Sequence, residues 1–314
     1  MDWITLIMMV LGLCLFEIIS SVDNAIINAE VLHTMKPKPR KWFLLWGLLF
    51  AVFVVRGLLP WVIVWAVNPS LGFIGSLLAT FSSDPSVQNS IEASAPILLM
   101  GGGIFLLFLF IHWLFLEDKH FGLPGEKFFM RQGVWFFAVV SILLMSIVWE
   151  AMAISPMIAF AAVVGSSAFF ITHGFKKNAE EAEKNMLNPN SHLSDISKII
   201  YLEIIDTTFS IDGVLGAFAF TLSVPIILFG NGIGAFVVRQ ITVGNIERIK
   251  KYKYLKNGAM YSILFLGTVM VLEGFHVSVP KILSPIITFV TIGYFFWRSR
   301  RELKNDLAEV ATVQ

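Results

Sequence analysis

Phe16-Glu17-Ile18-Ile19-Ser20-Ser21-Val22-Asp23-Asn24-Ala25 and Leu202-Glu203-Ile204-Ile205-Asp206-Thr207-Thr208-Phe209-Ser210-Ile211-Asp212-Gly213 set carboxylates inside two apolar runs of helix length. An Asp near the centre of a membrane helix costs about 2.5–3.5 kcal/mol, whereas each Leu, Ile, Phe or Val returns about 0.3–0.6 kcal/mol. The three acids of the second run would cancel most of its apolar gain if they faced lipid. They are expected to face protein, water or an ion.

Working outward, the rest of the chain is just as apolar. Of 314 residues, 56% are hydrophobic and only 14% charged, with a mean hydropathy of +0.77. A soluble domain carries about a quarter charged residues, so this composition implies a polytopic membrane protein. The formal net charge of +1 identifies no partner. Cys14 is the single cysteine, which excludes an intramolecular disulfide and a CxxC metal site. Met1-Asp2-Trp3 offers no basic region of the kind that opens a cleaved signal peptide, so the first apolar run is expected to persist in the mature protein.

Crossing roughly 30 Å of hydrocarbon takes about 20 residues. About nine apolar stretches meet that need: 3–32, 42–67, 95–116, 134–150, 154–174, 199–221, 224–242, 258–274 and 281–298. The expected fold is therefore all-α, a polytopic membrane helix bundle. The run 71–81 is short for a crossing and is placed in an outer loop, re-entrant or interfacial. Lys and Arg cluster after the first, third, fifth, seventh and ninth stretches, while connections 68–94, 151–153, 222–223 and 275–280 contain none. Because cytoplasmic loops are enriched in basic residues, the N-terminus is expected outside and the C-terminus in the cytoplasm of a bacterial-type plasma membrane. The chain divides into a first membrane half (1–174), a polar cytoplasmic linker (175–198), a second half (199–298) and a cytoplasmic tail (299–314).

The halves look related. Ser21-Val22-Asp23-Asn24 corresponds to Ser210-Ile211-Asp212-Gly213, and Glu17 and Asp206 each stand six residues before the motif Asp. Phe53-Val54-Val55-Arg56 is echoed by Phe236-Val237-Val238-Arg239 in the following stretch. The loop charges run the two acidic helices in opposite directions, so the repeat is inverted. Secondary transporters often combine such a repeat with broken helices that bind an ion near the bilayer midplane.

On an ideal helix, Glu17, Ser20, Ser21, Asn24 and Asn28 share a face, while Asp23 lies about 120° from Glu17. Glu203, Asp206, Thr207 and Ser210 share another, with Asp212 roughly opposite Glu203. All the acids meet only if the helices unwind near Ser20-Ser21 and Gly213, and the glycines Gly213 and Gly216 favour that. Carboxylates, amides, hydroxyls and carbonyls suit hard divalent cations such as Mn²⁺, Mg²⁺ or Ca²⁺, and the same acids can carry protons. Alternatively the acids only pair with Arg56 and Arg239 and stitch the bundle together. Two Arg against five acids leave roughly three negative charges for a cation or protons. Gly101-Gly102-Gly103 and Gly230-Asn231-Gly232-Ile233-Gly234 are read as close helix packing rather than nucleotide loops, since no strand precedes them. The six His show no zinc spacing, and the Trp and Phe are expected to face mostly lipid or the interface.

At Phe16–Leu32, Tyr201–Phe220 and Gly232–Arg239 the chain resembles the TerC family of integral membrane proteins, named for tellurium resistance and placed among LysE-like transporters. That resemblance implies metal-ion transport, with manganese export the best-supported class. Glu17, Asp23 and Asn24 match the family's first motif, and Asp206 and Asp212 its second; many relatives carry Asp-Asn in both, whereas here the second is Asp212-Gly213. The expected function is thus a divalent-cation exporter, not an enzyme, with Glu17, Asp23, Asn24, Glu203, Asp206 and Asp212 on the metal and Arg56 and Arg239 as charge partners. The cation is cargo and no cofactor is expected. Its partners are the metal ion and the lipid bilayer, not nucleic acid; a homo-oligomer is compatible with the sequence. A non-transporting scaffold in a metal or tellurite stress complex is the alternative, and an intramembrane aspartyl protease is disfavoured by the absence of Gly-x-Gly-Asp.

Overall fold

The computed structural model describes residues 3–47, 50, 56–76, 85–119, 122–187, 194–244, 249 and 251–313. Every element among them is helical: α1 (Trp3–Ser20), α2 (Val22–His33), α3 (Pro37–Trp42), a π-helical turn (Phe43–Gly47), α4 (Leu59–Val67), α5 (Pro85–Leu116), α6 (Pro124–Met130), α7 (Phe136–Ile154), α8 (Pro156–Leu187), α9 (Asp195–Ala217), α10 (Val224–Gly244), α11 (Leu255–Gly274) and α12 (Leu283–Val313). Among the described residues, five stretches are long and apolar enough to cross a membrane: Trp3–Ser20, Glu92–Leu116, Gly133–Ile154, Pro156–Asn178 and Leu255–Gly274. The protein is an all-α polytopic membrane helix bundle. The acidic helix α9 falls outside that set because its apolar stretch carries three carboxylates, Glu203, Asp206 and Asp212.

Burial on α1 falls on Met9, Gly12, Leu13, Phe16 and Glu17, the i, i+3, i+4 stripe of a helix with one face inward. That face packs on α10 and α12. The glycines of α10 make the approach possible: a Cβ on Gly230 would lie 2.7 Å from Leu13 Cβ, and one on Gly234 2.9 Å from the Cys14 carbonyl. Both glycine clusters are helix-packing surfaces, as their spacing predicts. In the second, α5 meets α8 and α11 nearly backbone to backbone, and a Cβ on Gly103 would stand 3.0 Å from the Gly267 carbonyl. Backbone cannot yield as a side chain can, and a Cβ on Gly165 of α8 would collide with the Gly101 carbonyl. Gly165→Ala is expected to destabilise the protein by about 3 kcal/mol, read as a lowered midpoint of thermal unfolding in detergent.

Most described Trp and many Phe side chains are exposed, as expected, but one aromatic group is not. Phe105, Phe108, Phe110 and Trp113 of α5, with Phe136 and Phe169, are buried in the main core. Phe137, Ile142, Met145 and Trp149 of α7 are exposed, the pattern of a helix facing lipid. In a membrane span both faces are apolar, so composition does not separate core from lipid side.

Three connections that hydropathy leaves open take definite form among the described residues. Helix α8 runs on through Leu187, and α9 begins at Asp195, so the described parts of the polar connector 175–198 are mostly helical. Helix α12 continues to Val313, making the tail an extension of the last helix. Of the run 71–81, residues 77–81 lie outside the described residues. Its beginning folds back on α4, where Trp61 Nε1 donates to the Phe73 carbonyl at 2.9 Å with the two rings 4.2 Å apart.

Candidate functional site

The two acidic motifs meet. Val31, Leu32 and Met35 of the first join Ile199, Leu202 and Ile205 of the second, together with Phe43, in one buried apolar cluster. Above it, Lys198 Nζ donates to Thr34 Oγ1 at 2.7 Å and ties the end of α2 to the start of α9. Between the motifs lies a cavity of about 70 Å³ lined by polar groups from both: Glu17, Ser21, Asn24 and Asn28 from the first, Glu203 and Asp206 from the second. Arg56 and Arg239, the two echoed arginines, stand in the same wall.

The first motif breaks its helix where expected, but by a single residue. Ser21 separates α1 from α2 with φ −92° and ψ 0°, while its N–H still donates to the Glu17 carbonyl at 3.1 Å. The interruption is slight, and Glu17 and Asn24 keep the common face they would share on an unbroken helix. Glu17 is 1% exposed and its Oε1 accepts from Ser21 Oγ at 2.8 Å and from the Arg56 guanidinium, itself 4% exposed. A buried ion pair of this kind neutralises both members. Asn24 Nδ2 donates to Asp206 Oδ1, a direct bond between the motifs. Gly47 of the π-helical turn leaves room for Glu203, whose Oε1 a Cβ at position 47 would strike.

The second motif does not unwind. Helix α9 is continuous through Gly213 to Ala217. Glycine's low propensity is overridden here because Gly213 and Gly216 face α1: a Cβ on Gly213 would sit 3.0 Å from Glu17 Oε2, and one on Gly216 2.5 Å from the Phe16 ring. Gly213 makes room for the Glu17 carboxylate, which is a physical reason for glycine where the first motif has Asn24. Because the helix stays regular, Asp212 remains on the far side from Glu203 and does not line the cavity. It pairs instead with Lys176 of α8. Asp23 belongs to α2, and its side chain lies outside the described residues.

The charge balance changes accordingly. Lys176 joins Arg56 as an acid partner, and among the described residues that line the cavity the acids Glu17, Glu203 and Asp206 outnumber the arginines Arg56 and Arg239 by one. Sequence reasoning missed Lys176 because hydropathy ends the fifth span before it, whereas the apolar stretch of α8 extends to Asn178. His112 and His173 were also unreadable as neighbours; two helices bring their rings to 4.0 Å.

The cavity presents bare oxygens. Asn24 Oδ1, Asn28 Oδ1 and Glu203 Oε1 are buried and make no hydrogen bond among the described residues. Buried acceptors rarely go unmatched, so such atoms call for water or an ion as partner. All three are hard oxygen donors, the class that suits Mg²⁺, Ca²⁺ and Mn²⁺. Among the described residues, no three His, Cys, Asp or Glu side chains stand close enough to hold a metal between them. Any cation here would be shared by amides as well as carboxylates.

The chain is 30% identical over 114 residues to the uncharacterized membrane protein YceF of Bacillus subtilis (strain 168), a match covering 35% of this chain and 44% of that protein. The match thus spans less than half the length of that relative. No solved structure matches the chain. The family described as "Protein of unknown function (DUF475)" matches residues 22–306, from the first acidic motif to the last helix, and the chain belongs to that family of membrane proteins.

Proposed function

We propose that the protein is a divalent-cation transporter of the plasma membrane that exports Mn²⁺ by alternating access of two related inverted halves. One observation carries this reading: Asn24 Oδ1, Asn28 Oδ1 and Glu203 Oε1 stand buried and unmatched around a cavity built jointly by both acidic motifs. Ionisable groups at membrane depth mark ion pathways by default. A small excess of acids over arginines among the described lining residues attracts a cation without trapping it, and transport requires both entry and release. The likeness of both motifs to TerC proteins supports the choice of metal. The basic residues that follow alternate helices support an outside N-terminus and a cytoplasmic C-terminus. Glu203, Asp206 and Asn24 are the proposed inner ligands, and Glu17 is held by Arg56 as the frame of the site.

A second reading has its own support. The Glu17–Arg56 and Lys176–Asp212 pairs join separate parts of the bundle, as the acids of a non-transporting scaffold would. Deleting the gene separates the two. Transport predicts that cellular manganese rises in manganese-supplemented medium while iron, zinc and magnesium hold steady, as measured by elemental mass spectrometry. Unchanged contents of every metal would favour the scaffold.

A further inference from the structure

Asp212 repeats the position of Asp23 yet stands apart from the cavity, on a side of α9 that meets α8. Its carboxylate is nearly enclosed: the side chain is 13% exposed, Oδ2 is held by the Lys176 ammonium, and Oδ1 is buried without a hydrogen bond. A buried carboxylate with half its acceptors unused is an incompletely satisfied anion. The cation that holds it is unusual as well. Lys176 is 12% exposed on its side chain and falls in the last turns of the apolar stretch Pro156–Asn178, within reach of the helix end to which a lysine can snorkel. The next residue on α9, Gly213, packs against Glu17 of the cavity wall, so Asp212 and the cavity adjoin the same turn of α9.

We propose that Asp212 is a second cation station and that Lys176 is its tethered occupant, a built-in cation that the cargo must displace to reach the second-motif acid. A flexible ammonium serves this role better than a guanidinium, since it is a compact point charge on a four-carbon stem that makes no bidentate lock. In the conformation described, Lys176 keeps Asp212 neutralised and unavailable. When it swings toward the interface, Asp212 is exposed to a cation arriving from the cavity. Lys176 therefore sets the affinity of the site by competition and adds no contact to the metal. This inference rests on the transport reading.

The test is equilibrium binding of Mn²⁺ alone to the purified full chain, read by titration calorimetry or by the spin signal of free Mn²⁺. Lys176→Gln is expected to tighten binding by about fivefold or more, the usual scale of coupling between linked sites. Lys176→Arg keeps the charge and should bind no tighter than wild type. The gain should vanish when Asp212→Asn is added. Lys176→Gln binding equal to or weaker than wild type, or a gain that survives Asp212→Asn, overturns the proposal. Should Lys176→Gln fail to fold, the comparison moves to Asp212→Asn with and without Lys176→Gln. Those two forms must bind Mn²⁺ equally, because Lys176 then has no acid to guard, and a difference overturns the proposal. Wild-type binding that Lys176→Gln leaves unchanged overturns this proposal and leaves the transport reading standing. No binding by any form defeats the transport reading with it.

Discussion

Arg56→Met is expected to destabilise the protein by about 3–5 kcal/mol, the cost of leaving a buried charge without its partner. Glu17 and Arg56 are 1% and 4% exposed, so neither can turn to water when the other is removed. Glu17 Oε1 would keep only its bond from Ser21 Oγ, and the break between α1 and α2 would lose the charge that fixes it. Replacing both members with apolar residues, Glu17→Leu with Arg56→Met, should recover much of the loss, because well-packed apolar pairs substitute for buried ion pairs at little cost. Unfolding midpoints in detergent for the two single variants and the double variant check this. Single variants as stable as wild type would show that the pair does not hold the site.

Glu203→Gln and Asp206→Asn are expected to cut manganese efflux from cells by about a hundredfold while leaving the amount of folded protein unchanged. Glu203 Oε1 is a buried cavity-lining acceptor with no hydrogen bond among the described residues, so losing its charge costs the fold little. Asp206→Asn can keep its bond to Asn24 through the remaining amide oxygen. Yet among the described lining residues the acids outnumber the arginines by one, and either substitution removes that excess. Even groups that only orient a metal's ligands are worth about 10–100-fold in metal affinity, and a direct ligand should match the upper figure. Efflux is measured in a deletion strain carrying each variant at matched expression. Variants that export normally would move Glu203 and Asp206 out of the proposed ligand set.

The contrast between these substitutions reflects what could be read from the chain. That Glu17, Glu203 and Asp206 point inward follows from the cost of carboxylates in hydrocarbon, and the Asn24–Asp206 bond joins the two motifs whose spacing matches. The break at Ser21 follows from the same polar cluster. Gly213 misled, because a glycine in a helix signals weakness or close packing alike, and only the position of Glu17 Oε2 separates the two. Once α9 stays straight, Asp212 must point elsewhere. Its partner is 36 residues away, on a helix whose end hydropathy cannot place to within a turn. The His112–His173 contact is hidden for a similar reason: pairing across helices depends on rotation about each axis, and all-round apolar spans record little of it. The buried Phe cluster of α5 shows the same limit.

The central claim, that both motifs build one cation pathway, is tested most directly by Mn²⁺ flux through the purified protein. Vesicles loaded with Mn²⁺ and carrying wild-type protein should release it well above protein-free vesicles, and vesicles carrying Glu203→Gln should release it at the protein-free rate. Equal release from wild-type and protein-free vesicles, or full release through Glu203→Gln, would contradict it.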